Sequence, residues 1–310
     1  MSRDFTPDLN EFREAARSPR ELLRPSRNAS PGTERTREES PRPESRTADV
    51  REPRPKEVPP RDSRAVLYDR YRSYDLRESE IQTLTDLGKF RVINASDLAR
   101  HGYGGDTGRM ERETERLVRQ GLVEQKRVEI SLSKSTRMYT LTKAGRRLMR
   151  GSGRLPHDQE IYSGFVKPRE AKHDAELYRV YQREEDRIER RGGRVRRVLL
   201  DFELKKKVNR DLTRLGPQKD DPDKKHDVAE RHGLRVVHGR IPVPDLQIEY
   251  EMPDQSMARV NLELTTGDYR PRQLADKAQA GFTLYSHGDD ASHVRRVLSD
   301  RELTAEILSL

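Results

Sequence analysis

The sequence predicts an α+β chain in which two folded units follow a long polar leader. Three observations carry this. Ten of the 18 prolines fall in the first 60 residues. Apolar residues at helical spacing begin only near Leu67. Beyond about residue 157, helical stretches alternate with short β-prone runs, the signature of an α/β layered unit. The resulting division is a tail over 1–65, a first unit over 66–152 and a second over 157–310 with a polar insertion at 205–233.

Composition narrows the partner class. The 310 residues carry 63 Lys+Arg against 54 Asp+Glu, a net charge of +9; 31% are hydrophobic and 38% charged. This excess points to a polyanion, and its placement matters more than its sum. Cysteine is absent, which excludes disulfides, thiolate zinc sites and a cysteine nucleophile and fits a cytoplasmic setting. No stretch approaches the 18 or so apolar residues of a membrane span, and the first residues lack the apolar core of a secretory signal. The eight histidines form no HExxH pair, and Gly102-Tyr103-Gly104-Gly105 lacks the GK[ST] of a phosphate-binding loop.

Residues 1–65 interleave proline with Arg, Glu and Ser, and their charges nearly cancel. Such a segment buries too little apolar area to offset its ordering entropy and is expected to be disordered. A short helix around Leu9–Leu23 is an option within it. The tail is either a docking or tethering arm or a solubilising leader.

In the first unit, Ile81, Leu84 and Leu87 predict a helix over 78–88, stopped by Gly88. Residues 95–101 predict a second, with Ser96 as cap. Residues 106–120 predict a third with Met110, Thr114, Leu117 and Val118 inward, closed by Gly121. Two β-prone runs, Leu122–Leu132 and Arg137–Leu141, join through Ser133–Thr136, and a last helix covers Thr142–Met149. Helix, helix, helix, hairpin, helix is winged-helix order, and "RLVRQGLVEQ" and "YTLTKAGRRLM" resemble the exits from the recognition helix and from the second wing strand of winged-helix regulators.

Charge suits that resemblance. Arg109, Arg112, Arg116 and Arg119 recur three or four apart and are expected on one face of the third helix, toward duplex DNA. Lys126, Arg127, Lys134 and Arg137 would line the wing. From Asp106 to Arg150 there are 12 Lys+Arg against 6 Asp+Glu. The alternative is a solvated helix whose arginines pair with Glu111, Glu113 and Glu115, or a module that binds protein.

In the second unit the spacing predicts a helix over Lys172–Arg191, strands over Val195–Leu204, Leu234–His238, Val243–Glu251 and Ala258–Leu264, and a helix over Leu274–Tyr285. Pro244-Asp245 opens one strand, Glu263 ends the next, and Lys277 lies on the last helix. Two carboxylates from adjacent strands suit Mg²⁺ or Mn²⁺, hard cations that prefer oxygen. Such an ion polarises a phosphate and acidifies a water, and a lysine stabilises the developing charge. Pro-Asp followed by Glu-x-Lys resembles the restriction-endonuclease-like, PD-(D/E)xK, fold. Here Thr265 stands where that pattern has Lys, and Lys277 is the substitute. The resemblance also implies Glu176 as an extra metal-binding carboxylate. Each residue has a plainer reading: Asp245 as a strand-opening residue, Glu263 facing solvent beside Asn261 and Thr265, Lys277 as a solvated lysine, and His173-Asp174 as a local pair.

Taken in order, the winged helix, His173-Asp174, "VPDLQIEYE", "NLELTTGD" and "LADKAQAGFTLYS" resemble the replication-relaxation family of plasmid and mobile-element proteins, over about residues 75–287. The resemblance implies a role in plasmid or mobile-element DNA replication or transfer, with double-stranded DNA and replication or transfer proteins as partners. Three readings follow: a metal-dependent nuclease, active or degenerate; a non-catalytic regulator or replication accessory protein; and a scaffold acting through its tail.

Overall fold

The computed structural model describes residues 63–310 except 71, 132–133 and 267–268. Residues 1–62, with the expected helix around Leu9–Leu23, lie outside the described residues. The described part belongs to one compact unit, and none of its helices is long and apolar enough to cross a membrane.

The described residues open with a hairpin that the sequence did not announce, β1 (Arg64–Asp69) and β2 (Arg72–Arg77). Leu67 pairs with Tyr74 and Ala65 with Leu76. Leu67, Tyr74 and Leu76 turn inward while Val66 and Tyr68 stay exposed. Alternation this short, interrupted by Arg and Asp, is weak evidence for a strand on its own.

Helix α1 (Glu78–Lys89) buries Ile81, Leu84 and Leu87. The Glu80 carboxylate reaches back to accept the Arg77 N–H at 2.8 Å, tying down a donor that the helix leaves open. Strand β3 (Ile93–Asn94) leads into α2 (Ala95–Gly102). The cap of α2 is Asn94, whose Oδ1 accepts the Ser96 N–H at 3.0 Å, so the expected cap moves two residues back. Helix α3 (Thr107–Arg119) starts at Asp106, which accepts the Arg109 N–H at 2.9 Å, and ends before Gly121 at φ +74. Strands β4 (Val123–Ser131) and β5 (Lys134–Leu141) form the hairpin, with β3 on the far side of β5. Thr136, expected in the turn, is already paired with Val128. Thr142 caps α4 (Lys143–Gly151) through the Gly145 N–H at 3.1 Å. The predicted order of helices and hairpin is present, with β1–β2 added before it and β3 within it.

The second part opens with α5 (Pro168–Arg190), then β6 (Arg194–Leu200). The chain enters α6 (Asp201–Arg214) directly, so the strand expected over Val195–Leu204 ends four residues early. The expected insertion at 205–233 is built from α6, a 3-10 turn (Gly216–Asp220) and α7 (Pro222–Arg231). Leu204, Val208, Val228 and Ala229 are buried there, four apolar positions that hold an otherwise polar segment to the sheet. Leu234–His238 is not a strand; it makes a single bridge, Val237 to Arg240. Strands β7 (Leu246–Glu251) and β8 (Met257–Thr265) follow. The helix expected over Leu274–Tyr285 divides into α8 (Pro271–Gln279) and β9 (Thr283–Ser286), with Gly281 at φ +79 between them. Helix α9 (Gly288–Ser299) and β10 (Ile307–Ser309) complete the chain.

The sheet order is β10-β9-β8-β7-β6. β6, β7 and β8 form an antiparallel meander, and β9 and β10 add in parallel. Both faces are covered. Leu177, Tyr178, Val180 and Tyr181 of α5 lie in one cluster with Val198, Leu246, Ile248, Leu262 and Leu264, and that cluster continues into Leu84, Phe90 and Leu98. Leu199 and Leu284, on the other face, join residues of α6 to α9. Phe90 meets the rings of Tyr178 and Tyr181 with centroids 5.3 and 5.1 Å apart, so α5 packs on α1 as well as on the sheet.

Candidate functional site

The meander brings the start of β7 beside the end of β8, which places Asp245 next to Glu263. The Asp245 N–H donates to Glu263 Oε2 at 3.2 Å, and Asp245 Oδ2 accepts the Leu264 N–H at 3.0 Å. Helix α8 adds Lys277, whose Nζ lies 2.6 Å from Glu263 Oε1 and donates to the Val243 carbonyl at 2.8 Å. The Tyr269 hydroxyl donates to Glu263 Oε1 at 2.9 Å. These groups line an open cavity of about 670 Å³, with Lys205 and Asn209 of α6 and Arg240 on its other walls.

Glu263 is 1% exposed, which corrects its reading as a solvent-facing residue. Alternation does put it beside Asn261 and Thr265, on the face opposite Leu262 and Leu264. That face is roofed by helices, so facing away from one core means facing into another. Lys277 is likewise no solvated lysine: its side chain is 20% exposed and held by two oxygens. Thr265, at the position where the sequence pattern expects Lys, is buried and donates its hydroxyl to the Tyr285 carbonyl at 3.1 Å. Glu176 is not drawn into the pair; its carboxylate sits 3.5 Å from His287.

His173 is the neighbour that the sequence reading left as a local partner of Asp174. Its Nδ1 is 3.6 Å from Asp174, but its Nε2 also lies 3.3 Å from Asp245 Oδ2. Burial lowers the imidazole pKa, yet the hydrogen bonds and charges of Asp174 and Asp245 outweigh it and hold His173 up at about 10. It is therefore a cation at neutral pH. Glu263 is pushed up to about 7, first by burial and then by the charge of Asp245, against the pull of Lys277 and Tyr269.

These shifts set a pH dependence with a definite sign. Between about pH 4.5 and 7 the folded protein keeps the Glu263 proton that the unfolded chain releases, so stability falls as pH rises. Its contribution, roughly 3 kcal/mol at 1.36 kcal/mol per unit, is fully present below the lower limit. His173 acts in the same direction from about 6.5 to 10, as the folded imidazolium finally gives up its proton. With chelator present, urea unfolding is expected to show wild type losing stability relative to Glu263→Gln across the first window. A wild-type advantage that grows with pH there would contradict the assignment.

The basic helix divides into two sets of arginines, a correction to the single face expected from spacing. Arg109 is 7% exposed. Its guanidinium donates to Glu113 Oε1 at 3.0 Å and to Ser79 Oγ at 2.9 Å. Arg116 is paired with Glu80, which is fully buried. Both arginines flank the apolar stripe of α3 and meet the first turn of α1, whose Ser79 and Glu80 draw them inward. Burial raises the Glu113 pKa, but hydrogen bonds from Ser79 and Arg109 outweigh it and hold the carboxyl below its usual range. Arg112, Arg119 and Arg127 are exposed and form no ion pair among the described residues. Arg137 pairs with Glu111 at 2.5 Å. Lys126 pairs with Glu124 at 3.3 Å and lies 4.7 Å above the Phe165 ring. Lys134 opens β5, and its side chain lies outside the described residues.

No family model matches the chain, and no curated protein matches it. Among solved structures, the chain is similar to Bacillus subtilis PadR in complex with operator DNA. The two are 13% identical over 49% of this chain and 92% of PadR, with a TM-score of 0.20. A score that low carries no argument about fold or function.

Asp245, Glu263 and Lys277, chosen from the sequence, thus stand together at one end of the sheet. His173 and Tyr269 join them without having been singled out for it. The only sequence signal for His173 was its place before Asp174 near the start of a long helix, and Tyr269 carried none. Among the described residues no group of three or more His, Asp or Glu side chains is arranged to hold a metal ion; Asp245 and Glu263 are a pair.

Proposed function

We propose that the protein binds duplex DNA through a winged helix formed by residues 78–151 and cleaves phosphodiester bonds at a Mg²⁺ or Mn²⁺ site on a restriction-endonuclease-like domain over 168–310. The observation that carries this reading is the convergence of Asp245, Glu263 and Lys277 from two strands and a helix onto one open cavity. The donor set fits such an ion. Mg²⁺ takes one or two carboxylates and keeps several waters, and burial together with repulsion from Asp245 holds the Glu263 proton, a penalty on the paired charges that a cation there would offset. Asp245 and Glu263 would hold it. Bound there, the ion supplies an acidified water and a polarised phosphate. Tyr269 and the Asp245 N–H orient Glu263, and Lys277 sets a positive charge beside the carboxylates where a phosphate oxygen would approach. The resemblance to the replication-relaxation family supports a role in replication or transfer of plasmid or mobile-element DNA.

Titration calorimetry with Mn²⁺ tests the cation site. Wild type is expected to bind the ion, and Asp245→Asn and Glu263→Gln each to weaken binding by about tenfold or more. Equal binding by all three proteins would remove the site.

A second reading, a non-catalytic DNA-binding regulator, is favoured by one observation: both Glu263 oxygens already accept hydrogen bonds from within the chain. On this reading Mn²⁺ does not bind while duplex binding persists. In both readings DNA contact falls to Arg112, Arg119 and the wing. Replacing Arg112 and Arg119 by Ala is expected to reduce the log–log salt slope of duplex affinity by about 2. An unchanged slope would place the DNA elsewhere.

A further inference from the structure

Helix α6 separates two cavities. Lys205 and Asn209 line the one at Asp245 and Glu263. Phe202 and Lys206 line a second, of about 620 Å³, whose walls also include Arg91, Arg146, Tyr162 and Phe165. Phe202 is 39% exposed although it sits on the first turn of a packed helix. The Tyr162 ring stands at 63° to it with centroids 5.0 Å apart, and the Arg91 guanidinium lies 5.2 Å from its centroid. Lys206 is exposed and forms no ion pair among the described residues.

The two acids in this cavity are already occupied. Glu160 accepts from Arg146 at 3.0 Å. Glu203 is paired with Arg197 and Lys207, each at 2.7 Å, and takes the Tyr162 hydroxyl at 3.0 Å. Arg146 is thereby engaged, and Arg91 is paired with Asp174 at 3.2 Å and Glu170 at 3.5 Å, so the cavity offers an aromatic ring bordered by two ion-paired guanidiniums and the Lys206 ammonium. That is the chemistry that takes an unstacked nucleobase and its phosphates. A paired base inside a duplex keeps its π-face against its neighbours and cannot present it. The cavity also adjoins both parts of the DNA reading. Lys126 of the hairpin lies against Phe165, and the Asp201 N–H, one residue before Phe202, donates to the Asp245 carbonyl at 3.1 Å.

We propose that this cavity binds single-stranded DNA, with a base stacked on Phe202 and phosphates met by Arg146 and Lys206, and so leads one strand past α6 toward Asp245 and Glu263. The proposal rests on the reading that the chain handles DNA, and it does not require cleavage.

The chain has no tryptophan, so Phe202→Trp creates a single indole at the stacking position. Thymidine oligonucleotides are expected to quench its fluorescence, and a duplex of the same length is not. In anisotropy titrations, Phe202→Ala is expected to weaken oligonucleotide binding about tenfold and to leave duplex binding unchanged. Replacing Arg112 and Arg119 by Ala is expected to weaken duplex binding and leave the quenching intact, which separates failure of this proposal from failure of the winged-helix reading. The proposal is overturned if the indole is not quenched, if duplex quenches it equally, or if thymidine monophosphate binds as tightly as the oligonucleotide. It is also overturned if Phe202→Ala binds single strands like wild type.

Discussion

The Lys277→Met variant is expected to stay within about 1 kcal/mol of wild-type stability near pH 5 and to lose about a further 1.4 kcal/mol relative to it by pH 8. Lys277 is the cation against the buried Glu263 carboxyl, 2.6 Å from its Oε1. Removing one partner of a buried ion pair ordinarily costs several kcal/mol, because a charge is left without compensation. Glu263 has a way out. Burial and Asp245 already hold its carboxyl at about 7, and loss of Lys277 removes an influence that lowers it, so the group rises further and keeps its proton. In acid, where it is protonated in any case, the substitution removes little beyond the hydrogen bond to the Val243 carbonyl. While the variant keeps its proton, each pH unit above about 7 costs it about 1.4 kcal/mol of stability relative to wild type. Met matches the length of the lysine stem and can rest on the Phe282 ring that the ammonium now overlies at 5.4 Å, which limits the packing loss. Urea unfolding at the two pH values checks this. An equal loss at both would mean that Lys277 acts through packing and that the pair is not electrostatically coupled.

The second large effect lies far from the acids. Arg109→Met is expected to cost about 3 kcal/mol or more at neutral pH, whereas Arg112→Ala, three residues on, is expected to change stability by no more than about 0.5 kcal/mol. Glu113 is 2% exposed and ionised, and it is shared by Arg109, Arg77 and Ser79. Without Arg109 it keeps a half-exposed arginine and one hydroxyl, too little for a buried carboxylate that was held below its usual range. The same variant bears on DNA binding. Its folded fraction is expected to keep the wild-type salt slope, because Arg109 points into the protein. A slope lower by about one would mean that Arg109 reaches a phosphate when DNA is bound.

Arg109 shows where sequence reasoning stops. Spacing fixes the angular position of a side chain on a helix but not what packs beside it. Arg109 and Arg116 lie at the margin of the α3 stripe, and only the packing of α1 decides that they turn inward. Glu263 shows the same limit in a sheet: alternation assigned its face, but the helices roofing that face come from α6 to α9, much of which read as a polar insertion. The stretch Leu274–Tyr285 was misjudged because its apolar residues suit a helix or a buried strand equally well. Gly281, at φ +79, was the signal that the helix ends there. Where local rules suffice, they succeeded: the apolar stripes of α1 and α3, the hairpin β4–β5 and the meander β7–β8 were all legible. So was the proximity of Asp245 and Glu263, because two acids at the ends of neighbouring strands meet whenever those strands pair.

The most direct test of the central claim is incubation of purified protein with supercoiled plasmid in Mg²⁺ or Mn²⁺, beside Asp245→Asn and Glu263→Gln. Nicked or linear product from wild type, absent with either variant and with chelator, is the expected result. Intact plasmid in all samples, together with a retained mobility shift, would contradict the claim and leave a DNA-binding protein without cleavage.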